Sequence, residues 1–336
     1  MDIGVIGGGS WGTALAKLLA ENGHDISLWV HEPTLAETMA RTRENPTYLP
    51  GFALPPNLKP TNSMEEAVSD REMILSVPPS HVLREVLGKA VEYLPVGVPI
   101  VSATKGIENE TLLLVSGIFE DVLPSKYHPF LCYLSGPSFA KEVAAKKPTA
   151  VTIASYNHQL AVKMQNVFSC EFFRAYTSND VIGVEIGGAL KNVIAIASGA
   201  VSGMELGLNA SAGMITRGLH EITRLAVRLG ANPLTLTGMA GMGDLVLTCT
   251  GGLSRNRTVG FKLGQGMTIE EILDDMNMVA EGVKTSKSVY DLSRQMGVEM
   301  PISEQVYQVL YEQKKPEQAV IDLMARTLKP EMGGWM

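Results

Sequence analysis

A single lysine lies inside an otherwise small and apolar segment, EIGGALKNVIAIASGAV, residues 185 to 201. If this segment is a helix, the positions stacked on Lys191 are two glycines, Ile194 and Ala195, so the local sequence offers no carboxylate partner. Burial without a counter-charge disfavours an ammonium and lowers its pKa. Such an amine can exchange a proton near neutral pH, but the segment alone does not say whether Lys191 has an acid–base role. A structural lysine that extends its amine to solvent is the alternative.

A glycine-rich turn, GGGSWG, follows the first apolar run and opens a helical pattern. Gly7, Gly9 and Gly12 have the spacing G-x-G-x-x-G, which provides a tight turn, a close approach to a pyrophosphate and close helix–strand packing. The helix N-terminus then faces the phosphates. In this strand–turn–helix context the motif predicts dinucleotide binding, and a glycine-rich turn without a ligand is the alternative.

The next strand pattern, ISLWV, ends where a dinucleotide-binding fold reads the ribose. An NAD-preferring site usually places an acidic residue there, whereas this chain has His31, followed by Glu32. A histidine can face a 2′-phosphate, so we predict NADPH as the cofactor, with NADH also accepted. The alternative is an exposed His31, with Glu32 bonding the ribose.

Polar residues follow three further apolar runs, in SVPPSH (76–81), SATKG (102–106) and LSGPSFAKE (134–142). Ligands of open parallel sheets bind beyond the carboxyl ends of the strands. This topology predicts that Lys105 and Ser138 lie at a substrate site. From its position alone, Lys105 could equally be a surface lysine.

The segment GMAGMGDLVLTCTGGLSRNRTVG, residues 238 to 260, holds the densest polar cluster of the second half. Asp244 follows a Gly/Met run that we expect to be flexible, and Arg255 and Asn256 precede a helix predicted to start at about Arg257. Guanidinium and amide donors beside free backbone N–H groups are suited to phosphate. The cluster therefore predicts a phosphate site, and a solvated basic loop is the alternative.

The first half of the chain alternates strand-like and helix-like segments, which implies parallel strands joined by helical crossovers. A proline-rich loop from Glu44 to Pro60 interrupts the pattern and is expected to be irregular. The predicted strands are 3–6, 25–30, 73–77, 100–103, 131–135, 150–154 and 172–176. Predicted helices between them include 11–21, 79–93, 111–123 and 158–168.

Strand patterns stop after about Asn179, and helical patterns follow to the end. Thr268 and Glu271 form a capping box, and Gly230 is a helix stop. The predicted helices are the Lys191 segment, 211–229, 268–276, 286–296, 303–313 and 317–327. The sequence thus predicts an α/β domain with a Rossmann-like doubly wound sheet over residues 1–178 and an all-helical domain over residues 179–336.

Composition limits the class of protein. The 336 residues carry a net charge of −7, which argues against nucleic acid or an anionic membrane as the main partner. Three distant cysteines without a CxxC fit a reducing, cytoplasmic compartment, and six histidines without ligand spacing predict no metal site. We also expect no signal peptide and no membrane-spanning segment.

Taken together, these motifs resemble the bacterial form of the NAD(P)-dependent glycerol-3-phosphate dehydrogenase family. The segments that carry the resemblance run in order along nearly the whole chain: GGGSWGTALA, SVPPSH, SATKGIE, LSGPSFAKEV, EIGGALKNVIAIASG, GMGDLVLTCTGG, SRNR and VAEGVKT. The resemblance implies a Rossmann domain followed by a helical substrate domain. It implies interconversion of dihydroxyacetone phosphate and sn-glycerol 3-phosphate with NAD(P)H, supplying phospholipid synthesis, and a homodimer.

The resemblance also implies roles for individual residues. Lys191 would be the proton donor or acceptor at the substrate oxygen, and Asp244 and Thr248 would bond substrate or lysine. Small residues around Lys191 would leave room for nicotinamide and substrate. The implied catalytic residues are Lys191, Lys105, Asp244 and Thr248. The implied substrate-binding residues are Lys105, Gly136, Ser138, Lys191, Asn192, Asp244, Ser254, Arg255 and Asn256. The implied cofactor-binding residues are Gly7, Gly9, Ser10, Trp11, Gly12, His31, Tyr48, Lys105, Ala140, Arg255, Val279 and Glu281.

Two other functions fit part of the pattern. A β-hydroxyacid dehydrogenase shares the Rossmann–helical plan and a lysine on the linking helix, but the phosphate cluster at Arg255 and Asn256 favours a phosphorylated substrate. A regulatory protein that senses the redox state of a dinucleotide would need neither a buried lysine nor a second polar cluster.

Overall fold

The structure is a computed structural model of the chain, and it describes residues 1–274 and 280–331. These residues form two compact units. The first unit comprises Met1–Lys105 and Leu113–Glu185; the second comprises Gly106–Leu112 and the chain from Ile186 onward. The boundary predicted at residue 178 lies shortly before Ile186, and the sequence did not indicate that Gly106–Leu112 joins the second unit.

The first unit is the predicted α/β domain. Its strands are β1 (Asp2–Ile6), β2 (Asp25–Trp29), β3 (Glu44–Asn45), β4 (Leu49–Ala53), β5 (Leu58–Thr61), β6 (Met73–Ser76), β7 (Ile100–Ser102), β8 (Leu131–Ser135), β9 (Thr149–Ala154) and β10 (Phe173–Ser178). Its helices are α1 (Ser10–Glu21), α2 (Pro33–Thr42), α3 (Met64–Val68), α4 (Ser80–Ala90), α5 (Val115–Val122), α6 (Ala140–Ala144) and α7 (His158–Phe168). Every strand predicted from the sequence is present, with ends shifted by a residue or two.

Eight of the strands form one sheet in the order β10-β9-β8-β7-β6-β1-β2-β5. The strand order reverses between β1 and β6, so the sheet is doubly wound. The prediction of parallel strands is wrong at one position, because β8 and β9 pair antiparallel. The short helix α6 between them is no full crossover; a chain that returns after so short a helix re-enters the sheet in the opposite direction.

The proline-rich loop is more regular than its composition indicates. It contains the antiparallel pair β3 and β4, and its last part is β5, which pairs with β2 at the edge of the sheet. Pro60 is tolerated in β5 because an edge strand leaves one row of N–H groups unused.

The second unit is helical among the described residues, as predicted. Its helices are α8 (Val181–Gly203, which starts in the first unit), α9 (Gly207–Arg228), α10 (Asp244–Thr250), α11 (Arg255–Gly264), α12 (Ile269–Asp274), α13 (Glu281–Met296), α14 (Pro301–Tyr311) and α15 (Pro316–Met324). The capping box is present: Thr268 N–H donates to Glu271 over 2.8 Å, and Glu271 N–H donates to the Thr268 hydroxyl over 3.3 Å. Gly230, with φ +97°, follows the end of α9 as predicted. The predicted helix 268–276 extends beyond the described residues.

Helix α8 carries Lys191 and is buried almost throughout. Among the described residues it is the one helix long and apolar enough to cross a membrane, with a mean hydropathy of 1.5. However, 89% of its most apolar window is buried inside the protein. It has the composition of a core helix, covered by protein on all sides rather than on one face.

Glycines explain how α8 and α11 approach each other. A Cβ on Gly260 would lie 1.9 Å from the backbone oxygen of Ile196, and one on Gly199 would lie 2.1 Å from that of Arg257. Gly203 and Gly264 repeat this contact one turn further along. Only glycine allows two helix backbones so close, and the contact sets the position of α11 against the lysine helix.

Candidate active site

The glycine-rich turn joins β1 to α1 as the motif predicts. Gly7 has φ +120°, a conformation that side chains rarely adopt, and a Cβ on Gly12 would lie 1.9 Å from the Gly7 carbonyl oxygen. Beside Gly9, in contrast, a Cβ would meet no atom within 4 Å. Two glycines are thus required by the backbone itself, and the third leaves open space for a ligand.

The N-terminus of α1 fits a dinucleotide pyrophosphate. No side chain caps this twelve-residue helix, and its first turn contains no acidic residue. Neither a capping side chain nor an acidic residue of the first turn therefore occupies its N–H groups and positive dipole end. The indole Nε1 of Trp11 is buried without a partner. Trp11 and Ala140, the first residue of α6, pack on one small cluster formed by Ala14, Leu49 and Ala144.

His31 and Glu32 follow β2, where the ribose is expected. His31 is exposed, and its ring meets the Trp29 ring edge-on with centroids 5.8 Å apart. Asn62 donates to the His31 carbonyl oxygen over 2.8 Å. Glu32 accepts a hydrogen bond from the Tyr48 hydroxyl over 2.9 Å. The structure thus places Tyr48, His31 and Glu32 at the same strand end.

Lys105, Gly136 and Ser138 come together beyond the ends of β7 and β8. The Gly136 carbonyl oxygen accepts from Lys105 Nζ at 3.2 Å and from the Ser138 hydroxyl at 2.9 Å. Gly136 has φ +144°, and a Cβ there would lie 2.9 Å from the Val151 Cα. Lys105 is half-buried and held at a strand end, rather than free on the surface.

In the second unit, Lys191 has the partner that its own helix lacks. Its Nζ lies 2.5 Å from Oδ1 of Asp244, which is fully buried, and Lys191 itself is 9% exposed. The prediction of a lysine desolvated without a counter-charge is therefore incomplete, because a carboxylate at this distance favours the charged ammonium. The pair is separated by 53 positions in sequence, so helix spacing could not reveal it.

Asp244 reaches Lys191 because of the Gly/Met run before it. Residues Met239–Gly243 form a π-helical turn that continues into α10, and this turn packs directly on α8. A Cβ on Gly187 would lie 2.3 Å from the Ala240 carbonyl oxygen. The expectation of a flexible run is therefore wrong. Of the small residues expected to leave room for a ligand around Lys191, Gly187 is covered by protein backbone.

Thr248 lies one turn after Asp244 on α10 and is 4% exposed. Its hydroxyl donates to the Asp244 carbonyl oxygen over 2.6 Å. With this proton committed within the helix, only the oxygen lone pairs of Thr248 remain for a ligand or for the lysine.

Asn192, next to Lys191, lies close to Asn256 and the start of α13. Oδ1 of Asn256 accepts from Gly282 N–H over 2.9 Å, and a Cβ on Gly282 would lie 2.8 Å from the Asn192 carbonyl oxygen. Both asparagines are more than nine-tenths buried. Because the Asn256 amide oxygen faces Gly282 N–H, the contact with Gly282 does not use its NH₂ group, which is a donor only.

Helix α11 begins at Arg255 rather than at the predicted Arg257. Ser254 is its N-cap, and its hydroxyl accepts from Arg257 N–H over 3.2 Å. Arg255 is exposed in the first turn, beside the buried Asn256. Guanidinium, amide donor and helix N-terminus are therefore adjacent, which is the arrangement expected for phosphate binding. Glu281 is the first residue of α13, and Val279 lies outside the described residues.

Sequence reasoning missed one residue that organises the cofactor side. Asn45, fully buried, donates to the Gly8 carbonyl oxygen over 2.8 Å and to the Thr13 hydroxyl over 2.9 Å. It lies in the proline-rich loop that we expected to be irregular. An asparagine between a glutamate and a proline gave no signal of this contact.

The amino-acid sequence matches models of two protein-domain families over most of its length. Residues 2–161 match the N-terminal domain and residues 180–321 the C-terminal domain of NAD-dependent glycerol-3-phosphate dehydrogenase. The chain is 54% identical over 330 residues to the glycerol-3-phosphate dehydrogenase [NAD(P)+] of Myxococcus xanthus, covering 98% of each chain. It is 55% identical over 331 residues to that of Geobacter metallireducens, covering 98% of this chain and 99% of the relative.

A solved structure gives the same result for the fold. Glycerol-3-phosphate dehydrogenase from Coxiella burnetii superposes with a TM-score of 0.92 at 38% identity, covering 97% of this chain and 99% of that one. A ketopantoate reductase from Ralstonia eutropha, at 14% identity and a TM-score of 0.59, shares the fold alone. The chain belongs to the NAD-dependent glycerol-3-phosphate dehydrogenase family.

Proposed function

We propose that the chain is an oxidoreductase that interconverts dihydroxyacetone phosphate and sn-glycerol 3-phosphate with NADPH, and also with NADH. The observation that carries the proposal is the buried ion pair between Lys191 and Asp244. A charged pair of this kind costs desolvation energy and is a weak source of stability, so its presence points to chemistry. The product would supply the glycerol backbone of phospholipids.

Lys191 is the proposed acid–base residue. Reduction of a ketone to a secondary alcohol needs a hydride at carbon and a proton at oxygen. When bound, the reduced nicotinamide supplies the hydride. Lys191 Nζ supplies the proton and takes it back in the reverse direction. Asp244 holds the ammonium in place from one side, with Oδ1 at 2.5 Å.

The substrate phosphate is assigned to the start of α11. Arg255 contributes its charged guanidinium, which can donate two parallel hydrogen bonds, and Asn256 contributes its amide NH₂ group. The first turn of the helix contributes backbone N–H groups. The proposed phosphate-binding residues also include Asn192 and Ser254. At the carbonyl end of the substrate, the proposed contacts are Lys105, Gly136 and Ser138. The donors at α11 are the reason to prefer a phosphorylated substrate to a hydroxy acid.

The cofactor is assigned to the carboxyl end of the first unit's sheet. The pyrophosphate binds at the uncapped N-terminus of α1 with Gly7, Gly9, Ser10 and Gly12. Trp11 and Ala140 line this site, and His31 and Tyr48 lie at the ribose. Lys105, Arg255, Val279 and Glu281 complete the proposed cofactor contacts.

We further propose a homodimer in the cytoplasm. The second unit exposes large apolar side chains, among them Leu208 at 88% and Leu234 at 72%, which a subunit interface would cover. Cys132, Cys170 and Cys249 are free thiols, as a reducing compartment allows. Sedimentation of the purified protein measures the assembly, and a monomer at micromolar concentration would contradict it.

The test of the activity is direct. Purified protein is mixed with NADPH or NADH and with dihydroxyacetone phosphate, unphosphorylated dihydroxyacetone or a β-keto acid, and the absorbance of the reduced nicotinamide is followed. We expect turnover with dihydroxyacetone phosphate and little with the other two. Preferred turnover of the β-keto acid would favour a hydroxyacid dehydrogenase, and cofactor binding without any turnover would favour a redox sensor.

A further inference from the structure

The proline-rich segment, to which the function above gives no role beyond Tyr48, is tied to the glycine-rich turn. Asn45 donates to Gly8 and Thr13, and its Oδ1 accepts from Tyr48 N–H over 3.0 Å. Every hydrogen-bonding group of this buried amide is therefore used. The hairpin of β3 and β4 is fixed to the turn that receives the pyrophosphate.

Apolar packing also holds this hairpin. Leu49, fully buried, packs with Ala14 of α1 and Ala144 of α6. The Tyr48 ring, between Asn45 and Leu49, packs against the core of the first unit. Because both neighbours are anchored, the position of the Tyr48 hydroxyl is fixed by the fold.

This hydroxyl donates to Glu32 Oε1 over 2.9 Å. Burial, followed by the hydrogen bond to Glu32 and its negative charge, raises the pKa of Tyr48 above its usual value of 10.0. The phenol therefore stays protonated and remains a donor throughout the neutral range. One oxygen of the Glu32 carboxylate is committed to the hairpin.

The free carboxylate of an acidic residue at this strand end has two opposite effects. It accepts a hydrogen bond from a ribose 2′-hydroxyl, and it repels a 2′-phosphate. A chain with Glu32 directly after the ribose position should thus discriminate against NADPH unless something restrains that side chain. His31, which precedes it, is exposed and carries no negative charge.

We propose that Tyr48 is a specificity-determining residue that acts by positioning Glu32: its hydroxyl occupies one carboxylate oxygen and fixes the side chain on the hairpin, so that the carboxylate is not free to turn toward a 2′-phosphate and NADPH is accepted beside NADH. The inference rests on the proposed use of both cofactors. It adds that Tyr48 is the residue that permits NADPH to bind as well as NADH.

The test is Tyr48→Phe, which removes the hydroxyl and keeps the ring. Binding is measured by calorimetry with adenosine 2′,5′-bisphosphate and with 5′-AMP, which differ in the 2′-phosphate and contain no nicotinamide, and then with NADPH and NADH. Loss of one hydrogen bond to a charged group changes an equilibrium by about tenfold. We expect the ratio of 2′-phosphate to 2′-hydroxyl affinity to fall by about that factor.

Two further variants identify the cause. In a Glu32→Gln background, Tyr48→Phe should leave the ratio unchanged, because the released side chain carries no charge. The matched control is Tyr176→Phe, which removes a hydroxyl from β10 at the opposite edge of the sheet and should leave the ratio at the wild-type value.

The proposal is overturned if Tyr48→Phe leaves the ratio unchanged or raises it. It is also overturned if the fall persists in the Glu32→Gln background, since Tyr48 would then act on the cofactor directly. The binding measurements use no substrate. A protein that binds these ligands as expected but does not reduce dihydroxyacetone phosphate would contradict the proposed function alone.

Discussion

Lys191 shows how one tertiary contact changes the interpretation of a residue. Its own helix offers only small and apolar neighbours, yet Asp244 is 2.5 Å away and fully buried. A substitution of Lys191 therefore does more than remove a proton donor, because it also removes the cation that faces the buried Asp244 carboxylate. Breaking a buried pair in this way costs about 3–5 kcal/mol.

We therefore predict a loss of both stability and turnover for Lys191→Met. The double variant Lys191→Met/Asp244→Asn should recover much of the melting temperature, because no buried charge remains, but none of the activity. General acid–base catalysis is typically worth ~10²–10⁴ in rate. Turnover of both variants should fall by at least this factor, while NADPH still binds at the intact glycine turn.

Lys191→Arg is the matched control for charge. The guanidinium keeps a positive charge beside Asp244 but does not release its proton near neutral pH. A well-folded double variant with more than a tenth of wild-type turnover, or rescue by arginine, would show that Lys191 is not the acid–base residue.

Arg255 is the residue for which the phosphate assignment makes the sharpest prediction. Charge-assisted hydrogen bonds contribute about 1.5–3 kcal/mol, or ten- to a hundredfold in binding. With the cofactor at saturation, so that the proposed cofactor contact of Arg255 does not limit the rate, Arg255→Ala should reduce kcat/KM for dihydroxyacetone phosphate by at least this factor and change the low rate with dihydroxyacetone much less. Arg228→Ala, at an exposed arginine of α9, is the control. Equal losses for the two substrates would remove Arg255 from the phosphate site.

At the level of elements, the contact between α8 and α11 depends on glycine rather than on side-chain interdigitation. Gly260 and Gly199 each bring backbone atoms to within 2.1 Å of where a Cβ would lie. The same contact positions Arg255 and Asn256, at the start of α11, relative to the lysine helix. Packing and site geometry are therefore coupled in this pair of helices.

We predict that Gly260→Ala destabilises the protein and weakens substrate binding together. The added methyl meets a backbone oxygen that cannot rotate away, and overpacking of this kind costs about 1–3 kcal/mol. Gly213→Ala on α9 is the matched control, because a Cβ there meets no atom within 4 Å. It should raise the free energy of unfolding by about 0.4–1 kcal/mol. Denaturant unfolding measures the free energy of unfolding of both variants. Equal changes in Gly260→Ala and Gly213→Ala would contradict the close contact.

At the level of the whole molecule, each unit contains, among its described residues, one buried carboxyl group that lies outside the proposed site. Burial raises the pKa of Glu185 to about 8, although Ser116 N–H and hydroxyl both donate to it. Burial likewise raises the pKa of Glu221 to about 7, although it caps α14 through Ile302 and Ser303 N–H. Both groups bind their proton more tightly in the folded chain than in the unfolded one.

The contribution of these two carboxyls to stability should therefore decrease as the pH rises from about 4.5 toward 8. In that range both groups bind more protons in the folded chain than in the unfolded one, so the contribution of each is complete below 4.5 and is lost through its raised pKa. Glu185→Gln mimics the protonated form and should flatten this slope. Unfolding free energies at several pH values measure the effect, and a slope that is unchanged in the variant would contradict it.

Much of the fold was predictable because the signals that specify it are local. The strands of the sheet appear as short apolar runs, the capping box needs only Thr268 and Glu271, and the end of α9 needs only Gly230. The expectation of an irregular proline-rich segment was wrong because β3 and β4 are short strands that pair only with each other, and because β5 pairs with β2, which lies outside the segment. The direction of β9 was predicted wrongly because the local pattern of a strand does not include its direction.

The amino-acid sequence by itself determined the order of the two domains, the glycine turn, the isolated lysine and the polar cluster at Arg255, since each is a property of neighbouring residues. Only the tertiary structure decided that Lys191 is paired with Asp244, that Gly187 and Gly260 serve backbone contact, and that Tyr48 restrains Glu32. These partners lie 16 to 64 positions apart along the chain. Contacts over such separations form only when the whole chain packs, so no periodicity in the sequence encodes them.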